Sequence, residues 1–384
     1  MAHAVMGAPV GAQAWATRAA FLVPGLVLAA WAPIVPLAKA RAGLDEAALG
    51  LVLVCLGLGS MGAMPVAGAL ASRFGCRVVM AVSCLVMLVA LPGLALAPSA
   101  LALGAGLLVF GAGMGAMDCA MNIQAVLVER AAGRPLMSGF HAFYSVGSLA
   151  GAVGAAGLLT LGLAVPGMAF AVAGIGLVVF VASVRWWRSD GAPGGQAAFA
   201  LPRGVVVVLG VVCFVTFLAE GAMLDWSAVF LHEVRGVDVT RAGWGFVAFN
   251  LAMTGARLAG DRTIGWLGRR RTLLASGAVG CAGMLVVVFS PAAWLAVAGC
   301  AVLGLGCANV VPVMFSLAGE QQRMPVGLAI PAVTTMGYAG VLLGPALIGF
   351  AAQGVSLGIA LAAAGVASGI AALVGAAAAT RAAR

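Results

Sequence analysis

The sequence predicts an all-α polytopic membrane protein with twelve transmembrane helices in two pseudo-symmetric six-helix bundles. Three observations predict it. The 384 residues are 64% hydrophobic and only 8% charged, with a mean hydropathy of +1.15, whereas soluble domains carry roughly a quarter charged residues. The apolar residues fall in runs near the ~20 needed to cross a bilayer core as a helix. The second six runs also echo the first six.

The runs cover 16–38, 46–70, 77–97, 100–127, 138–162 and 165–187, then 204–231, 241–260, 271–290, 292–318, 325–350 and 354–379. The first is too long for a cleaved leader, whose apolar core is roughly 7–15 residues. Between the sixth and seventh lies Arg188-Ser-Asp-Gly-Ala-Pro-Gly-Gly-Gln196, the most polar and breaker-rich stretch of the chain. It reads as a linker, 188–203, between bundles spanning 1–187 and 204–384. Abundant Gly and Ala suit helices that pack closely where no hydrophobic force drives them together.

A formal charge of +9 would suggest nucleic acid in a soluble protein, but here the arginines sort by side. One side collects Arg18, Arg73, Arg77, Arg130, Arg134, Arg185, Arg188, Arg203, Arg257, Arg262, Arg269, Arg270, Arg271, Arg323, Arg381 and Arg384; the other has Lys39, Arg41, Arg235 and Arg241 with acids beside them. By the positive-inside rule both termini are cytoplasmic, in a bacterial inner membrane. Trp186, Trp187, Trp244 and Trp294 suit interfacial anchors. The eight cysteines form no C-x-x-C pair and have no partnering histidines, so neither disulfide nor metal is expected, nor any cofactor.

The fourth run holds Gly113-x-Gly115-x-x-Asp118 and ends at Glu129; the tenth holds Gly304-x-Gly306-x-x-Asn309 and ends at Glu320, each position 191 residues on. Gly147-x-x-x-Gly151 in the fifth run has its counterpart in Gly340-x-x-x-Gly344. A parallel repeat of six-helix halves suits a carrier that exposes one midplane site alternately to each side.

The link after the second run reads Gly68-Ala-Leu-Ala-Ser-Arg73-Phe-Gly-Cys-Arg77, and that after the eighth reads Gly260-Asp261-Arg262 and Gly268-Arg-Arg-Arg271. These resemble the G-x-L-A-D-R-x-G-R signature of the major facilitator superfamily. The resemblance implies gating roles for Arg73, Arg77, Asp261 and Arg262, with Ser72 standing where the signature has Asp. The 111–124 stretch, 138–147 and Glu220-Gly-Ala-Met-Leu-Asp225-Trp226-Ser227 look like the YbjJ-like transporters related to the fucose:proton symporter branch. That branch carries an acid in its fourth helix with Asn four residues later, as in Asp118 and Asn122.

A carboxylate inside a span costs roughly 2.5 kcal/mol or more near the helix centre, so it must meet a polar cavity, a proton or a partner. Asp118 and Glu220 are the proton-coupling candidates. For Asp118 the alternative is a fixed bond to Asn309, Arg257 or backbone, and for Glu220 a permanent pair with Arg257. Asn122, Gln124, Asn250, Asp225, Tyr144 and Tyr338 are polar candidates for a substrate site, with Trp31 or Trp226 as an aromatic platform. Glu129, Arg130, Arg257 and Glu320 join the gate candidates. His141, near the start of the fifth run, reads as a satisfied structural side chain.

The expected activity is proton-coupled alternating-access transport of a small polar, sugar-like solute by a monomer in the lipid bilayer. Proton-driven efflux is the rival, for which Met114, Met117, Met121, Met223 and Met253 would line an adaptable cavity. A non-transporting sensor lacks a soluble domain. An enzyme lacks any nucleophile or metal motif.

Overall fold

The computed structural model describes residues 9–191 and 201–382. The middle of the expected linker, 192–200, and Arg384 lie outside the described residues. Every regular element among the described residues is helical.

Six helices come first: α1 (Val10–Ala42), α2 (Ala48–Phe74), α3 (Cys76–Leu96), α4 (Ala100–Ala132), α5 (Met137–Thr160) and α6 (Val165–Trp186). In the second half, α7 (Val205–Val234) precedes one continuous 46-residue stretch, Trp244–Phe289. At 1.5 Å per residue that stretch would be about 69 Å long, more than twice a bilayer core. Gly268 breaks it with φ 76° and ψ 157°, giving α8 (244–267) and α9 (269–289). The chain closes with α10 (Ala293–Glu320), α11 (Val326–Gly354) and α12 (Leu357–Thr380). Gly75 takes the same conformation between α2 and α3, φ 84° and ψ 158°, a region that only glycine enters without strain. Two helices thus turn back on themselves through a single glycine, once in each half.

The described residues form two compact units, one within Met1–Leu136 and Phe143–Phe199, the other within Met137–Ala142 and Ala200–Arg384. The first turn and a half of α5 therefore belongs with the second unit, and the rest of that helix with the first.

The Gly-x-x-x-Gly pairs make matching crossings. A side chain added at Gly147 or Gly151 of α5 would strike the backbone carbonyl of Leu22 or Leu26 in α1. Gly340 of α11 lies in the same way against Phe214 of α7, and Gly344 against Leu218. Glycine lets the backbones approach and recovers packing energy that lipid would otherwise match. The equal spacing in the fourth and tenth runs does not carry into packing, because Gly113 faces α3 at Met87 whereas Gly304 faces α8 at Phe249. Equal letters there lie against different neighbours.

The sequence also misplaced three groups. Trp187 is no interfacial anchor: it is 1% exposed, its ring tilted at 56° to that of Phe180 with centroids 5.5 Å apart, and it donates Nε1–H to the Ala16 carbonyl at 3.1 Å. Its neighbour Trp186 keeps part of its ring outside. Arg257 is not a loop arginine but lies buried inside α8. The five methionines of the efflux reading are all buried, Met223 and Met253 within the core of the second unit. They fill gaps between helices rather than line an opening.

Candidate functional site

In the first unit, α4 runs unbroken past Asp118. Asp118 is partly exposed and Asn122, one turn later, is completely buried. Asn122 donates Nδ2–H to the Asp118 main-chain carbonyl at 2.9 Å, which fixes the amide and leaves its Oδ1 buried with no donor. Among the described residues, no cation or hydrogen-bond donor reaches the Asp118 carboxylate either. One helix face therefore presents two oxygen acceptors without donors, a costly arrangement in a low-dielectric interior. Two such acceptors are chemically matched to a proton, a cation or a hydroxyl donor. Trp31 is buried where α1 kinks through the Ala32–Ile34 turn of 3-10 helix around Pro33. Tyr144 is half-buried on α5.

Gln124 departs from the expected substrate role. Fully buried, it donates Nε2–H to Thr17 Oγ1 at 3.0 Å and accepts the Arg188 N–H on Oε1 at 3.0 Å. Both ends of the amide are thus engaged, tying α1, α4 and the chain after α6 together. That chain is pinned further by Arg77, whose Nε donates to the Trp187 carbonyl at 2.8 Å and whose N–H meets the Arg188 carbonyl, also at 2.8 Å. Arg188 pairs with Asp190 at 2.5 Å. The Arg188 guanidinium holds the Asp190 carboxyl below its usual range. Arg77 is therefore a structural clamp in this unit, and Arg73 stacks over Phe74 with Cζ 5.0 Å from the ring.

The second unit carries a denser polar cluster. Arg257 reaches Glu220 of α7 at 3.5 Å, the side chains 6% and 15% exposed. Its Nε also donates to the Ala308 carbonyl at 3.2 Å. That carbonyl is available because the residue four ahead is Pro312, which has no N–H to offer it, and α10 is broken there between Cys307 and Val310. At the same break Asn309 Oδ1 accepts from Ser138 Oγ at 2.6 Å, the single hydroxyl proton also having the Arg257 carbonyl within reach at 3.1 Å. Asp261 accepts the Gly139 N–H at 3.0 Å, placing a carboxylate at the positive end of α5. Asn309 and Arg257 thus bind within this unit, with Ser138 a participant that the sequence had not singled out. Ser138 follows only from the fold, since a serine near a helix start carries no distinguishing signal.

The remaining candidates are dispersed. Asn250 donates to the Phe246 carbonyl of its own helix at 3.2 Å. Asp225 is exposed, whereas Trp226 packs against the core and its Nε1 finds no acceptor. Tyr338 is half-buried on α11. Glu129 accepts the Leu136 N–H at 2.8 Å, closing the turn between α4 and α5, while Arg130 and Arg262 are exposed. Glu320 makes a two-pronged pair with Arg269, one contact at 2.6 Å. His141 lies 5.7 Å from the Phe315 ring.

Residues 19–345 match the sequence model of the Major Facilitator Superfamily. The chain belongs to that superfamily. An uncharacterised MFS-type transporter of Yersinia pestis is 45% identical over 349 residues, covering 91% of each chain. The membrane protein MosC of Rhizobium meliloti is 33% identical, covering 88% of this chain and 83% of that one. The fold is that of the Escherichia coli fucose:proton symporter FucP, with TM-score 0.78 at 14% identity over 97% of this chain and 98% of that one. The human organic anion transporter MFSD10 gives the same score at 16% identity over 96% and 100%. This major facilitator protein is a multi-pass membrane transporter and not an enzyme.

Proposed function

We propose that the protein moves a small, neutral, hydroxyl-bearing solute across the bacterial inner membrane with protons, by alternating access. Asp118 carries the proton and Asn122 contributes to solute recognition, Trp31 and Tyr144 being further contacts. The observation that supports this reading is the pair of donor-free oxygens on α4, Asp118 and Asn122 Oδ1. Protonation removes the cost of the isolated carboxylate and turns it into a donor; deprotonation asks for hydroxyls in return. Glu220 already has Arg257, which makes it the lesser proton carrier. The fucose:proton symporter has the same fold, and the α4 motif favours the YbjJ-like branch beside it. Positive loop charge favours cytoplasmic termini, with 1–187 and 204–384 as the working bundles of a monomer.

A thermal-shift screen of sugars, nucleosides and amino acids on the purified protein identifies the solute, since binding to the native state raises its melting temperature. In proteoliposomes containing a pH dye, that solute should drive proton movement. Asp118→Asn should retain solute exchange and lose accumulation against a gradient. Accumulation that still follows the pH gradient in this variant would remove Asp118 from coupling.

A further inference from the structure

Arg41 and Arg235 belong to the arginine-poor side of the sequence pattern, and the structure gives both the same task. Arg41 stands at the far end of α1 and donates Nη1–H to the Ala95 carbonyl, 54 residues on, in the last turn of α3. Arg235 follows α7 and donates Nη2–H to the Val288 carbonyl, 53 residues on, in the last turn of α9. The last carbonyls of a helix have no partner within it and form its negative end, which a cation stabilises. Neither α3 nor α9 has a basic residue of its own in that turn. Each takes one from the first helix of its half.

Both arginines lie beyond an interruption of their helix. In α1 the Ala32–Ile34 turn of 3-10 helix leaves Val35–Ala42 as an eight-residue tip, too short to persist as a helix by itself. In α7 the regular helix stops at Val229, and Phe230–Val234 forms a π-helical turn. Irregular turns of either kind within a helix often mark hinges. The two tips are seated to different depths. Of Val35–Ala42 only Ala38 is buried, whereas Phe230 and Leu231 are both buried and the Arg235 guanidinium lies over the Phe230 ring with Cζ 5.0 Å from its centroid.

We infer that Arg41 and Arg235 are equivalent latches: each holds the hinged far tip of α1 or α7 on the end of α3 or α9, and the tip swings away when that bond opens. The device occurs once in each half, and the α1 copy is the looser. A guanidinium stays charged at any working pH, so release depends on movement of the tip and not on titration. On the orientation proposed above, on which this clause alone rests, both latches lie at the periplasmic ends of their helices and govern outward opening.

The test is hydrogen–deuterium exchange of the full-length protein in detergent micelles, where solvent reaches both faces and the orientation does not enter. Losing a hydrogen bond from a charged donor shifts a local opening equilibrium by about tenfold. Arg41→Gln should therefore speed exchange in 37–44 by about tenfold, and Arg235→Gln should do the same in 231–238. Each variant should leave the other tip and the whole of α4 unchanged, and Arg41→Lys, which keeps the charge and a donor, should recover part of the protection. Arg241→Gln, an exposed arginine on the same side, should alter neither tip. Ala38→Cys places a thiol on the buried face of the α1 tip, and it should react with a maleimide about tenfold faster when combined with Arg41→Gln. Unchanged exchange in both tips, equal acceleration throughout α3 and α4, or labelling of Ala38→Cys that ignores Arg41 would each overturn the proposal.

Discussion

Arg257→Met tests whether the cluster in the second unit is held by charge pairing. Arg257 and Glu220 are 6% and 15% exposed and 3.5 Å apart, and Arg257 also donates to the Ala308 carbonyl. Removing one partner of a buried pair costs about 3–5 kcal/mol, because a charge is left without compensation. The residual exposure of Glu220 and the long separation place the expected loss near the bottom of that range, about 3 kcal/mol. Replacing both partners with Met should cost about 1 kcal/mol or less, since apolar replacement of a buried pair is often neutral. The coupling energy should therefore be at least about 2 kcal/mol, by the usual double-mutant comparison. Reversible unfolding in mixed micelles, titrated with sodium dodecyl sulfate, measures the wild type and all three variants. If the two single losses add to within about 0.5 kcal/mol of the double loss, the side chains act independently and the pairing argument fails.

Three other expectations follow from the geometry. Gln124→Leu removes a bond to Thr17 and one to the Arg188 N–H, so it should destabilise by about 1–3 kcal/mol while leaving the solute KM of the surviving protein unchanged; an altered KM with normal stability would return Gln124 to the binding site. Gly268→Ala should cost about 1–3 kcal/mol for a conformation closed to alanine, seen in the same micellar titration, and Gly75→Ala more, because Ser189 also blocks its side chain. Gly151→Val should part α1 from α5 and lower stability by about 1–3 kcal/mol. Gly154→Ala, which meets nothing within 4 Å, should be neutral or stabilising, and equal losses at 151 and 154 would discredit the crossing.

The membrane fold was legible because a bilayer imposes one length on every apolar run. Even the tight reversals were marked, by Gly75 and Gly268 in matching links. The break in α10 was marked too, by Pro312, which has no N–H for the Ala308 carbonyl four residues before it; the sequence could not show that Arg257, 51 residues away, satisfies that carbonyl. Asp118 and Asn122 could be read as one face because four residues is nearly one helical turn. Gln124 could not be separated from them by residue type: what distinguishes it is the arrival of Thr17 and Arg188 from distant parts of the chain. Trp187 misled for the same reason, an indole next to arginines being the usual mark of an interface.

The start of α5 has a consequence for biogenesis. The partners that hold Ser138 and Gly139 are Asn309 and Asp261, 171 and 122 residues downstream. At a synthesis rate of roughly 5–20 residues per second, Ser138 leaves the ribosome about ten to thirty seconds before Asn309 exists. During that interval the nascent chain must keep a polar helix start waiting at the translocon, without the contacts that will later secure it. That interval is an opportunity for insertion factors to engage this helix start.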